Sequence, residues 1–284
     1  MGGRAGTAPH TVVFVGCILE PEVSVLHHLA ITVGWSALLL FFYETAWFFA
    51  GTLMGRNDVA DVAWGLGPPL LAWWLAVYTR SLLVVPMAAL VSVWGVRLTV
   101  HIARRDFAPG STEDPRYAEW RQDWRFFVLR SYLQVYLLQG FFLLLVSAPL
   151  IVYAAAPEFA DPVLWALGSA IFAVGFVVET VADRQLAEFL AERKNRGHVF
   201  DRGLWSWSRH PNYFGETLVW WGLAVIALAV PMGWLGLIGP VTITLLLLFV
   251  SGIPLAERHR AADPEWLAYK ARTSAFLPLP PRER

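Results

Sequence analysis

Seven long apolar stretches dominate this sequence and limit what it can fold into. A helix needs about 20 mostly apolar residues to cross roughly 30 Å of hydrocarbon, and each stretch is close to that length or longer. They cover residues 28–54, 60–79, 82–103, 125–153, 162–190, 213–230 and 234–253. The pattern predicts an all-α integral membrane protein in which seven transmembrane helices form one bundle.

The composition supports a chain that faces lipid. Hydrophobic residues make up 57% of the 284 residues and charged residues only 15%, whereas an ordinary soluble domain has about a quarter charged residues. The formal net charge of zero gives no support for nucleic-acid binding. The single cysteine, Cys17, excludes an intrachain disulfide and cysteine-rich metal sites. We expect one membrane domain over residues 1–284, with no metal site, no nucleic-acid partner and no obligate protein partner.

The positions of Lys and Arg predict the orientation. They collect in the connections 104–125 and 193–209 and in the tail 258–284, whereas the connections on the other side carry few. Short cytoplasmic loops are enriched in these residues. We therefore expect an external N-terminus, with residues 1–27 as an N-terminal arm, and a cytoplasmic C-terminal segment over residues 254–284.

Charged residues within apolar spans are costly, at about 2.5 to 3.5 kcal/mol or more each, so they indicate function or pairing. Glu179 and Asp183 are four residues apart and share one helix face. That face binds a basic or hydroxyl-rich ligand, or it forms an interhelical salt bridge with Arg97 or Arg130. The spacing leaves both interpretations open.

Asp61 lies at the start of the second span, just before Gly65, Gly67, Pro68 and Pro69. Glycine and proline at this density weaken helical hydrogen bonding, and irregular backbone in a membrane survives only beside protein or a water-filled cavity. We expect Asp61 to line such a cavity. The alternative is a carboxylate that caps the helix or interacts with its dipole.

The densest polar constellation is the stretch RHPNYFGE at residues 209–216. Pro211 can begin a helix, which places Arg209 and His210 at a helix N-terminus, where phosphate binds favourably. Asn212 and Glu216 then share one face and can recognise a carboxamide, a sugar diol or an adenine. The alternative is a membrane-interface turn whose arginine meets lipid headgroups.

This stretch resembles the signature of the membrane-bound steroid 5α-reductase and sterol reductase superfamily, and most closely its bacterial 5α-reductase-like branch. The similarity extends along the chain to residues 61–65 (DVAWG), 94–98 (WGVRL), 113–117 (EDPRY), 203–205 (GLW) and 251–254 (SGIP). It implies a seven-helix bundle in a bacterial inner membrane that binds NADPH on its cytoplasmic side. The implied reaction is hydride transfer to the carbon–carbon double bond of a hydrophobic enone, such as a 3-oxo-Δ4 steroid or a related lipid.

The resemblance also implies roles for individual residues. Asp61 and Glu216 are the implied catalytic residues. The implied NADPH contacts are Arg97, Glu179, Asp183, Arg209, His210, Asn212, Tyr213, Glu216, Glu257, His259 and Tyr269. Asp61 matches a family glutamate that works with a third-span tyrosine, but residues 93–96 here read VWGV. The missing phenol leaves Tyr43, Tyr78 and Tyr132 as open replacements.

Two other functions are compatible with these motifs. A methyltransferase of the isoprenylcysteine carboxyl type shares an Arg-His-Pro-x-Tyr element and binds S-adenosylmethionine within the membrane. A non-catalytic lipid-binding membrane protein would account for buried carboxylates but leaves the stretch at 209–216 unexplained. The partners we expect are a hydrophobic lipid or steroid-like substrate and the membrane lipids.

Overall fold

The protein is all-helical. The computed structural model describes residues 13–159, 161–195, 197–258, 260 and 262–282, except for the side chains of residues 13–24, 159 and 193. Helix accounts for 80% of the chain, and the described residues contain no strand.

Twelve α-helices follow one another in the described part of the chain. They are α1 (Val13–Met54), α2 (Val59–Thr79), α3 (Val85–Asp106), α4 (Pro115–Asp123), α5 (Phe127–Ser131), α6 (Leu138–Val146), α7 (Ala148–Ala155), α8 (Pro162–Ala191), α9 (Pro211–Ala227), α10 (Ile238–Leu245), α11 (Ile253–Arg258) and α12 (Pro264–Arg272). A π-helical turn over Tyr132–Leu137 joins α5 to α6, and another over Leu246–Val250 follows α10.

Five helical segments are long and apolar enough to cross a membrane. They are Val25–Met54, Leu82–Asp106, Phe127–Val146, Pro162–Ala191 and Gly233–Arg258. Length and composition therefore indicate a multi-pass membrane protein. The prediction of seven spans adds α2 and α9, which are not among these five, so seven spans and their orientation stay predictions.

The predicted span boundaries agree with α2, α8 and α9 within three residues. The first helix extends further than its predicted span, because α1 begins at Val13, within the segment 1–27 predicted as an arm.

Two predicted features of the spans were wrong. The second span is not interrupted, because α2 runs continuously through Pro68 and Pro69, which are buried; two prolines remove only two backbone donors. The stretch 125–153 is not one helix. Phe126 has a positive φ of 60°, α6 ends at Val146 and α7 begins at Ala148. Pro149, in the first turn of α7, has no N–H to continue the preceding helix.

Glycines bring α8 and α9 into close contact. A Cβ atom added to Gly175 would lie 2.6 Å from the carbonyl oxygen of Gly215, and one added to Gly215 would lie 2.5 Å from the backbone nitrogen of Glu179. Only glycine permits this approach. It places the polar residues at the start of α9 beside those in the second half of α8.

The centre of the bundle is an aromatic and aliphatic core. Trp94 on α3 and Trp220 on α9 are both fully buried, with ring centroids 5.3 Å apart at an interplanar angle of 79°. This edge-to-face contact connects the pair α2–α3 to the pair α8–α9.

The C-terminal segment folds back on the bundle. Arg209 donates its backbone N–H to the Ser274 carbonyl oxygen at 2.8 Å, and Leu279 donates its backbone N–H to the Trp207 carbonyl oxygen at 3.0 Å. The segment therefore covers the end of the bundle at which α3 and α8 end and α9 begins, which we term the basic end.

Candidate functional site

Arg97 forms the centre of a buried ion-pair network at the basic end. Its Nη1 lies 2.7 Å from Glu179 Oε1 and its Nη2 lies 2.6 Å from Asp183 Oδ2. Trp94 Nε1 donates to the other Glu179 oxygen at 2.9 Å. The cation that meets the two carboxylates is thus Arg97, and the alternative of Arg130 is not realised.

Asn212 joins this network through its amide nitrogen, while its amide oxygen has no hydrogen-bond partner among the described residues. Its Nδ2 donates to Asp183 Oδ1 at 3.0 Å, so all four oxygens of Glu179 and Asp183 are engaged. The amide oxygen of Asn212 is buried and has no hydrogen-bond partner among the described residues. A buried acceptor without a donor is unfavourable by about 1 to 3 kcal/mol, so this oxygen is a candidate acceptor for a ligand donor.

Glu216 lies one turn further along α9, behind the network. Its side chain is 8% exposed, and the indole Nε1 of Trp64 is 3.5 Å from its Oε1. Among the described residues, Glu216 has no cation within 4 Å and does not line the cavity described below.

Arg209 connects the start of α9 to the C-terminal segment. Its Nε lies 2.9 Å from Glu257 Oε1, and its Nη1 donates to the Thr273 carbonyl oxygen at 2.7 Å. Lys270 Nζ lies 2.9 Å from the second Glu257 oxygen. The Arg209 guanidinium is therefore largely paired with protein groups. This leaves it less free to bind phosphate than its predicted role implies.

His210 is held in the same cluster. Its Nε2 lies 3.1 Å from Glu257 Oε1, and its ring stacks on that of Tyr213 with centroids 5.2 Å apart and an interplanar angle of 4°. Burial lowers the pKa of His210, and the hydrogen bond with Glu257 opposes this only partly. His210 thus fixes the orientation of the Tyr213 ring.

The other two predicted contacts from the tail have different outcomes. Tyr269 is 1% exposed, and its hydroxyl donates to the Trp205 carbonyl oxygen at 2.5 Å. His259 lies outside the described residues.

A cavity of about 1060 Å³ lies beside this network, between α3, α8, the start of α9 and α12. Its described lining includes six arginines and a single carboxylate. These residues are Arg97, Arg104, Arg105, Arg184, Arg209, Arg260 and Asp183. Of the predicted cofactor contacts, Arg97, Asp183, Arg209, His210, Asn212, Tyr213 and Tyr269 line the cavity, whereas Glu179, Glu216 and Glu257 lie behind it.

Asp61 lies outside this lining. Tyr117 Oη donates to Asp61 Oδ1 at 2.7 Å, and Arg116 Nη2 donates to Oδ2 at 2.6 Å. Both residues belong to the short helix α4, in the connection after α3. Asp61 therefore has a tyrosine partner, but that partner comes from a loop helix and not from any of the three candidates.

Those three tyrosines have other neighbours. Tyr43 donates to the Ala63 carbonyl oxygen at 2.8 Å, and the Tyr132 hydroxyl lies 3.0 Å from Thr45 Oγ1. The ring of Tyr78 stacks on Trp74. None of the three contacts Asp61 among the described hydrogen bonds.

The cavity residues that sequence reasoning missed include His101, Arg104 and Arg260. His101 and Arg104 lie four and seven residues after Arg97 on α3, so all three share one helix face, a periodicity that was available in the sequence. Arg260 lies between α11 and α12, where no periodic pattern applies.

Comparison with known proteins identifies a family but no activity. Residues 47–273 match the family described as "Protein of unknown function (DUF1295)". An uncharacterized protein of the fission yeast Schizosaccharomyces pombe is 25% identical over 233 residues, which cover 71% of this chain and 64% of that protein. This chain thus spans less than two thirds of the relative's length. No solved structure matches. The chain belongs to the DUF1295 family, which is related to steroid 5α-reductase-like membrane proteins.

Proposed function

We propose that this protein is an NADPH-dependent membrane reductase that transfers hydride to the carbon–carbon double bond of a hydrophobic enone, such as a 3-oxo-Δ4 steroid or a related lipid. The observation that carries the proposal is the cavity at the basic end, with six arginines and one carboxylate in its described lining.

The charge of the lining favours a polyanionic cofactor. NADPH carries a pyrophosphate and a further phosphate, whereas S-adenosylmethionine carries a sulfonium cation. Carboxylates neutralise Arg97, Arg105, Arg184 and Arg209. Among the described residues, Arg104 and Arg260 have no carboxylate within 4 Å, so they are available for phosphate, which arginine binds in a bidentate manner.

The size and polarity of the cavity also fit a dinucleotide. Its volume of about 1060 Å³ is slightly above the range of about 300 to 1,000 Å³ for ligand pockets. His210, Asn212 and Tyr213 bring the N-terminus of α9 to the cavity wall, and a helix N-terminus attracts phosphate. The unpaired oxygen of Asn212 can accept a hydrogen bond from an amide or hydroxyl group of the cofactor.

When bound, NADPH would supply the hydride. The residues that would hold it are Asn212, Arg104 and Arg260, with Arg97 and Asp183 fixing the Asn212 amide. Because its Nδ2 is bonded to Asp183, Asn212 would keep its amide oxygen turned toward the cofactor.

Tyr213 is the residue best placed to stabilise the substrate carbonyl. It lines the cavity, its ring is held against His210, and its hydroxyl has no partner among the described hydrogen bonds. A phenol in this position can donate a hydrogen bond to the carbonyl oxygen as negative charge develops there. The assignment of Asp61 and Glu216 as catalytic residues stays a prediction, and Asp61 would have to act from outside the cavity lining.

The test is direct NADPH binding to the purified protein, measured by isothermal titration calorimetry. Asn212→Ala removes the unpaired acceptor and should weaken NADPH binding about tenfold or more, because a cofactor donor then lacks its partner. Val174→Ala, on the exposed face of α8, is the control and should bind as the parent does. Equal affinity in all three proteins would contradict the role of Asn212, and an absence of NADPH binding by the parent would contradict the cofactor assignment.

A further inference from the structure

The residues that line the cavity include two sets of opposite character, which define two arms. Arg104, Arg184 and Arg260 line one arm, at the basic end, which we term the cationic arm. Val93, Val96, Val100 and Phe176 line the other, which we term the apolar arm. From Arg104 back to Val93 the cavity follows α3 for 11 residues, a distance of about 16 Å. The cavity therefore continues well beyond the cationic arm.

The apolar arm extends deep into a segment that can cross the membrane. Helix α3 has 22 residues and begins at Val85, so it is about 33 Å long and Val93 lies about 12 Å from its start. The segment Leu82–Asp106 is one of the five apolar enough to span a bilayer. The cavity thus reaches past the middle of this helix.

The same arm lies on the outer surface of the bundle. Val93 is 55% exposed and Val96 51% exposed, on a face that meets lipid in a membrane. Helix α3 packs mainly on α2, and α8 packs mainly on α9. The two pairs face each other across the cavity, and Arg97 bridges them with its ion pairs. The gap between α3 and α8 is therefore a lateral opening.

We propose that the apolar arm is the entry and binding groove of a substrate dissolved in the membrane, an inference that rests on the proposed function. The occupant is an extended or flat apolar molecule with a single carbonyl end. Its apolar body lies between α3 and α8 and its carbonyl reaches Tyr213, where the two arms meet.

Fluorescence quenching from the two phases tests the groove in the full chain in phospholipid nanodiscs. With Cys17→Ala as background, bimane is attached at Val96→Cys in the apolar arm. The matched control is Val174→Cys, which is 56% exposed on α8 but does not line the cavity. The quenchers are iodide in the water and a phospholipid with a nitroxide on its acyl chain in the bilayer.

We expect both quenchers to act at Val96→Cys and only the nitroxide lipid at Val174→Cys, with iodide quenching at least fivefold stronger at Val96→Cys. Equal iodide quenching at the two positions, or no nitroxide quenching at Val96→Cys, would contradict the proposal that the apolar arm is a substrate groove. The same measurement at Val93→Cys, a second position in the apolar arm, shows whether the result at Val96→Cys reflects a local distortion.

Saturating NADPH separates the groove from the cofactor proposal. The cofactor should fill the cationic arm and reduce iodide quenching at Val96→Cys at least twofold, while nitroxide quenching persists. If both quenchers act but NADPH changes neither, the groove is supported and the NADPH assignment is overturned.

Discussion

At the scale of single residues, pairing determines which charges remain free to bind a ligand. Arg97 is committed to two carboxylates, and Arg209 is committed to Glu257 and backbone carbonyls. Arg104, which has no carboxylate within 4 Å among the described residues, faces the cavity. The strongest ion pairs therefore shape the site, while the less constrained arginine can bind the cofactor.

Arg104→Ala should weaken NADPH binding about five- to tenfold and reduce its dependence on salt, because one phosphate contact is lost. The matched control is Arg125→Ala, which removes the same charge from a residue packed over the Phe126 ring and away from the cavity. Titration calorimetry at two ionic strengths measures both effects. Equal losses in the two variants would show that only overall charge matters.

The residues of the site were predictable to the extent that helical periodicity brings them together. Glu179 and Asp183 share one face of α8, and the motif at 209–216 brings Asn212 beside them, as the observed Asn212–Asp183 hydrogen bond shows. The partnership of Asp61 with Tyr117 was not predictable, because it joins two elements 56 residues apart through a loop helix. No periodic pattern encodes such a contact.

At the scale of helices, the close contact of α8 and α9 determines the geometry of the site. Gly175 and Gly215 let the two backbones approach, which brings Asn212 within 3.0 Å of Asp183. Hydropathy predicts where these helices lie, but it does not report the local breaks in α5–α7. Those depend on individual backbone hydrogen bonds, such as the donor missing at Pro149.

Gly175→Ala should lower the free energy of unfolding by about 1 to 3 kcal/mol, since the added methyl group meets backbone that cannot easily move. Gly34→Ala is the matched control. A Cβ atom there meets nothing within 4 Å, and alanine in a helix interior is favoured by about 0.5 to 1 kcal/mol. Thermal unfolding in detergent compares the two. A melting temperature for Gly175→Ala as high as that of the control would contradict the packing described.

At the scale of the whole molecule, the basic end collects the cations, the C-terminal segment and the cavity. Composition and the long apolar stretches predicted a helical membrane protein, and the five long apolar segments agree with that prediction. Seven spans further require that α2 crosses the bilayer, although it contains Asp61 and two prolines and is not among the five segments.

Thiol labelling of intact cells tests whether α2 crosses. In a Cys17→Ala background, an impermeant maleimide should label Ser81→Cys, after α2, because seven spans place it outside. It should leave Leu53→Cys, at the end of α1, unlabelled until the membrane is permeabilised. Leu53 is 89% exposed, so its reaction after permeabilisation is the control for accessibility. Identical labelling of both positions in intact cells would rule out a crossing by α2.

The central claim is that the cavity binds NADPH, and ligand-induced thermal stabilisation of the purified parent protein tests it most directly. A ligand at 100 times its Kd stabilises the folded protein by about 2.7 kcal/mol. We expect NADPH to raise the melting temperature in a concentration-dependent manner and S-adenosylmethionine to leave it unchanged. Stabilisation by S-adenosylmethionine without any effect of NADPH would contradict the reductase assignment and favour a methyltransferase.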